Sequence, residues 1–150
     1  MLRIIIPILF FAAFSKAHSD DLYLRDLNEI INQEKSISMS VHILQRCSGL
    51  FAVVGGRVRN SGRSDATELG NRLVDKGTEF GLLAIASANW GNLDYSVDST
   101  MEETFAIGKI YISIMEDNYR RTGNALGGQI KYDQDVCIGF YNDLLGKVSI

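Results

Sequence analysis

The chain has 150 residues, 15 basic against 18 acidic side chains for a formal charge of −3, and 46% hydrophobic residues. That is enough apolar material for one compact domain, and the acidic balance argues against nucleic acid or an anionic membrane as the main partner of its surface. The single Pro and the absence of any repeat or low-complexity tract leave no linker that would divide it.

Residues 1–19 read MLRIIIPILFFAAFSKAHS: a charged start at Arg3, an apolar run from Ile4 to Phe14, then small residues. This is the layout of a secretory signal peptide. As a helix the apolar run reaches about 16 Å, well short of a hydrocarbon core of about 30 Å. Cleavage is expected after Ala17, with Ser19 as the second choice and an uncleaved anchor as the alternative. A mature chain from residue 18 onward keeps 13 basic and 18 acidic side chains and loses Pro7, the only Pro. The protein is therefore expected in a periplasmic or extracellular compartment. Such a compartment oxidises thiols, so Cys47 and Cys137 are expected to form a disulfide rather than act as reactive thiols.

The rest reads as helices separated by Gly, Asn, Ser and Asp clusters. A short one over residues 21–33 places Tyr23, Leu27, Ile30 and Ile31 on one side, with Asp20 and Asp21 at its start. The second, over 38–54, carries the stripe Met39, Ile43, Cys47, Leu50, Val54 and is expected to stop at Gly55 and Gly56. Its other side, with Ser38, His42, Gln45 and Arg46, reads as solvated. Asp65 and Glu68 form a start signal for a third helix, whose core side would carry Leu69, Leu73, Val74, Phe80 and Ala84 before it ends at 89–91.

Ser99 with Glu102 reads as the capping box of a fourth helix, reaching Thr122, with Met101, Phe105, Gly108, Ile112, Met115 and Tyr119 inward. A strand over 109–114 is the rival, since that segment alternates and is rich in β-branched residues. The unbroken helical period from 99 to 122 decides for the helix. The last helix, over 131–145, aligns Cys137, Phe140, Leu144 and Val148, with Val136 and Tyr141 beside them. Both cysteines fall on apolar stripes, so the expected fold is all-α: four main helices in a bundle plus a short N-terminal one, clamped by one disulfide. Gly49, Gly70, Gly77, Gly81, Gly108 and Gly139 fall inside helices, where each costs about 1 kcal/mol relative to Ala. They serve close helix approach, or alternatively leave space for a ligand.

Chemistry-bearing patterns are sparse. His42 is the only His certain to remain in the mature chain, so no metal site is expected; a Met39/His42 copper or haem contact is the alternative to a surface His. No G-x-S-x-G occurs. Glu79, Asp94, Asp98, Glu102 and Glu103 could supply a hydrolytic carboxylate pair, but most sit at helix starts or on polar faces. The segment Gly56–Ser64 has five residues between its glycines where a phosphate loop needs four, and Arg63 where that motif has Lys.

Two surface features remain. If the main helices alternate in direction, Arg57, Arg59 and Arg63 come to the same pole as Arg120 and Arg121, a possible site for an anionic group or partner, although arginines also simply complement helix C-termini. At the opposite pole Trp90, Leu93 and Tyr95 stand in one connection, either folded over the core or serving as a recognition loop.

In outline the chain resembles the small exported helical proteins that act as acid-stress chaperones or as immunity proteins against secreted effectors. The resemblance lies in size, export, helicity and one bridge, and it brings no functional residue and no cofactor. The function expected is a non-enzymatic interaction module that binds another exported or cell-envelope protein. A carrier of a small apolar or anionic ligand is the alternative, and a carboxylate-dependent hydrolase the third choice.

Overall fold

The computed structural model describes residues 25–33 and 36–148. The expected signal segment, His18 and the first half of the expected N-terminal helix, with Asp20, Asp21 and Tyr23, lie outside the described residues, as does the Val148 side chain. The described residues form five helices: α1 Leu27–Gln33, α2 Ile37–Arg59, α3 Ala66–Trp90, α4 Val97–Thr122 and α5 Gln129–Val148. The all-α bundle with one bridge, Cys47 to Cys137 at a Cα separation of 5.7 Å, is therefore as expected. The strand rival over 109–114 gives way to helix.

Helix α2 is the axle. Ser36 caps it by accepting a hydrogen bond from the Met39 N–H at 3.1 Å, and every residue from 41 to 51 is buried. The expectation that His42, Gln45 and Arg46 face solvent fails because α3, α4 and α5 enclose α2 from different sides. Gln45 is buried with neither amide atom hydrogen-bonded to a described residue. By length and composition α2 could also cross a membrane, but 67% of that window is buried inside the bundle.

Gly55 and Gly56 do not end α2, which continues to Arg59. The reason lies in the α2–α3 crossing. A Cβ on Gly55 would sit 2.7 Å from the Gly70 carbonyl oxygen, and one on Gly70 would sit 2.6 Å from the Arg59 amide. Gly77 continues the seam: its carbonyl accepts from the Ser48 hydroxyl at 2.7 Å, and a Cβ there would come within 2.9 Å of the Ala52 amide. Most of these glycines thus let two helix backbones touch. Gly56 and Gly139 differ, with open space where a Cβ would stand.

Both expected start signals shift. Asp65 stands before α3 but makes no capping bond; its carboxylate is held by Arg63 at 2.7 Å. For α4 the cap is Ser96 rather than Ser99, and Ser99 takes the reciprocal place in the box: each side-chain oxygen accepts from the other residue's amide at 3.0 Å. On α3 the buried side is Gly70, Gly77, Phe80, Ala84 and Ala88, while Leu69 is half-exposed. On α4 it is Thr100, Ile107, Gly108, Tyr111, Met115 and Asn118. Of the expected inward stripe Gly108 and Met115 are buried, while the other four members turn outward, leaving Met101 48%, Phe105 64%, Ile112 46% and Tyr119 56% exposed.

Inside, α5 is tied to α2 by more than the disulfide. Asp133 Oδ2 lies 3.0 Å from Arg46 Nη2 and accepts the Tyr111 hydroxyl at 2.6 Å, while Arg46 also donates to Tyr111 Oη and to the Arg25 carbonyl. Gln129 donates to the other Asp133 oxygen at 2.6 Å. The cluster joins the chain before α1 to α2, α4 and α5. Burial there raises the Tyr111 phenol well above its ordinary value.

Candidate functional site

An open groove of about 1020 Å³ lies where α2, having run on past its glycines, meets the start of α3, the end of α4 and the connection to α5. Val53 and Gly56 come from α2. Leu69 stands on one wall, and Ile112, Met115 and Tyr119 on another. The connection is shaped by Gly123, left-handed at φ 74°, and held by Asn118, which donates to the Gly127 carbonyl at 3.0 Å. Ala125 and Leu126 thereby line the groove.

The five arginines do gather at this end, but they are not equivalent. Arg57 lines the groove with its guanidinium 6.0 Å from the Tyr119 ring centre, within cation–π range, and has no ion pair with any described residue. Arg63 also lines it but is paired with Asp65, an interaction that raises the arginine and lowers the carboxyl from their ordinary values. Arg59 packs its backbone on Gly70 and does not line the groove. Arg121 pairs with Asp117 at 2.8 Å, and Arg120 is exposed beside it. With Asp65 and Glu116 also on the walls, the pole is a mixed surface rather than a uniformly basic end, and among the described residues Arg57 has no carboxylate partner.

Compared with family models, curated proteins and solved structures, the chain matches none.

The opposite pole divides its expected trio. Trp90 is 84% exposed at the end of α3, whereas Leu93 and Tyr95 pack partly buried against the core. The loop is pinned by the Leu93 N–H donating to Ala88. Trp90 therefore stands alone there, and burial raises the Tyr95 phenol.

His42 lies buried with Nδ1 3.7 Å from Glu103 Oε1, not on a solvated face. Among the described residues no three His, Cys, Asp or Glu side chains converge as metal ligands. Of the candidate carboxylates, Glu79 is bound by Lys76 and by the Tyr141 hydroxyl, which hold it below its ordinary range. Asp94, Asp98 and Glu102 are exposed, and none of the five lines the groove. Sequence reasoning missed Ile112 and Tyr119 as groove walls because it turned their stripe inward. The missed signal was the polar set Thr100, Tyr111 and Asn118, which shares one side of the same helix.

Proposed function

We propose that this chain is an exported binding protein whose groove receives an amphipathic helix of a partner protein, apolar on the face that enters and carrying a carboxylate at the Arg57 end. The observation that carries the reading is the combination of half-exposed Leu69, Ile112 and Tyr119 lining the groove with Arg57, which among the described residues has no carboxylate partner. A contiguous exposed apolar patch of this kind marks a binding surface, and a groove between helices suits a helical ligand read through residues one turn apart. Size favours a polypeptide: small-molecule sites are enclosed clefts of about 300–1,000 Å³, whereas this groove is open and at the top of that range. The helix-interior glycines Gly55, Gly70 and Gly77 are filled by neighbouring backbone, which weighs against an enclosed ligand cavity.

Export is supported by the layout of residues 1–19 and by the disulfide, which an oxidising compartment maintains. Intact mass of the protein recovered from its native compartment is expected to begin at residue 18 or 20 with both thiols oxidised. For the groove, a photo-crosslinker at Leu69 is expected to capture one polypeptide, and Arg57→Glu or Ile112→Glu to abolish that capture with far-UV circular dichroism unchanged. Equal capture by the variants, or a small molecule and no polypeptide in native mass spectra, would overturn the reading.

A further inference from the structure

Resting on the groove as a helix-docking site, we propose that a second copy of this chain is its occupant: the N-terminal half of α4 from each copy lies in the groove of the other, about a two-fold axis crossing α4 near Gly108 and Lys109.

The outward residues of α4 are Val97, Met101, Phe105, Ile112 and Tyr119, each about half exposed. Their order is close to symmetric about that axis. In an antiparallel α4 pair, Phe105 of one copy meets Ile112 of the other a turn from the centre, and Val97 meets Tyr119 at the far end. Ile112 and Tyr119 are themselves groove walls, so the half-helix bearing Val97, Met101 and Phe105 is laid along the groove. The two-fold makes this happen twice, the isologous contact expected of a dimer.

Charge agrees with the same placement. Between residues 92 and 108 the chain has Asp94, Asp98, Glu102 and Glu103 and no Lys or Arg. The antiparallel arrangement carries this acidic stretch to the partner copy's arginine end, with Asp98 opposite Arg120 and within reach of Arg57. Complementary fields of this kind set register and orientation.

Area sets the strength. Five half-exposed side chains per copy, two of them aromatic, form a small patch, which puts the contact at the low end of specific interfaces. Lys109 opposes its own copy at the axis. Both point to a concentration-dependent dimer rather than an obligate one.

The test is sedimentation equilibrium of the mature, oxidised protein over a broad concentration range, with two variants. Phe105→Glu, at an exposed position outside the lining of its own chain's groove, is expected to raise the dimer dissociation constant at least tenfold with an unchanged melting curve. Lys109→Cys is expected to give a disulfide-linked dimer under mild oxidation, while Lys131→Cys on α5 is not. A protein monomeric at every concentration, a dimer indifferent to Phe105→Glu, or equal cross-linking at 109 and 131 would overturn the inference. If it falls while capture through Leu69 persists, the groove reading stands; if capture also fails, both fall.

Discussion

Removing the carboxylate of Asp133 should destabilise this protein more than any surface change. Asp133 is 0% and Arg46 2% exposed, and the two sit 3.0 Å apart. In Asp133→Leu the guanidinium keeps only the Arg25 carbonyl and the Tyr111 hydroxyl, and that hydroxyl in turn loses its acceptor. Stranding one member of a buried pair costs about 3–5 kcal/mol, against about 5–15 kcal/mol for a whole domain. Arg46→Met strands Asp133 instead, softened by Gln129 and Tyr111, which still donate to it. The double variant removes both charges and is expected to lie within about 2 kcal/mol of the native protein, since an apolar pair can replace a buried ion pair at little cost. The assay is urea unfolding with the disulfide intact, read as a double-mutant cycle. Additive single effects, or an Asp133→Leu loss below about 1 kcal/mol, would refute the claim that the pair acts as one desolvated unit.

Further outcomes follow from other contacts. The 90-residue separation closed by Cys47–Cys137 restricts the unfolded chain by about 4–5 kcal/mol on loop entropy, so the Cys47→Ala/Cys137→Ala variant should unfold at markedly lower urea; an unchanged midpoint would count against the clamp. Gly70→Ala drives a Cβ into the Arg59 backbone and is expected to cost about 1–3 kcal/mol. Gly139→Ala, with open space around it, should gain about 0.5–1 kcal/mol of helix stability; equal effects at both sites would contradict the seam. The Tyr111 phenol is raised in the folded state from an ordinary 10.0, chiefly by burial. Its contribution is therefore complete below pH 10 and falls as the pH climbs beyond it. Tyr111→Phe should flatten that alkaline loss, and an unaltered alkaline limb would refute it.

The helix count, the all-α class and the bridge could be read from apolar spacing and two cysteines because both signals are local and periodic. What could not be read is which side of a helix faces inward when apolar residues cover more than one side. On α4 the burial of Ile107 and Tyr111 rather than Met101, Phe105 and Ile112 was decided by neighbours far along the chain. Arg46 looked like a surface residue because its partner Asp133 lies 87 positions away. The pair Gly55 and Gly56 misled as a helix stop, since the close packing of Gly55 on Gly70 overrides a weak helix propensity. For the candidate site, the gathering of arginines at one pole was legible from alternating helix directions. The division into paired Arg63 and Arg121 and an Arg57 with no carboxylate partner among the described residues depends on contacts that spacing does not encode. His42, expected on a solvated side, shows the same limit, being buried beside Glu103.

The central position of α2 bears on how the chain is delivered. On the export reading, this helix, apolar and long enough to span a bilayer, must pass a translocation channel before its sheath of neighbours exists. An Arg near the middle of such a segment opposes lateral partition into lipid by about 2.5–3.5 kcal/mol, and His42 and Gln45 lie within a turn of it. On that reading Arg46 would serve twice, as a passport through the membrane and afterwards, paired with Asp133, as a rivet in the fold. Membrane fractionation of Arg46→Leu would separate the two tasks: retention of the chain in the bilayer is expected, and full release would leave the rivet alone.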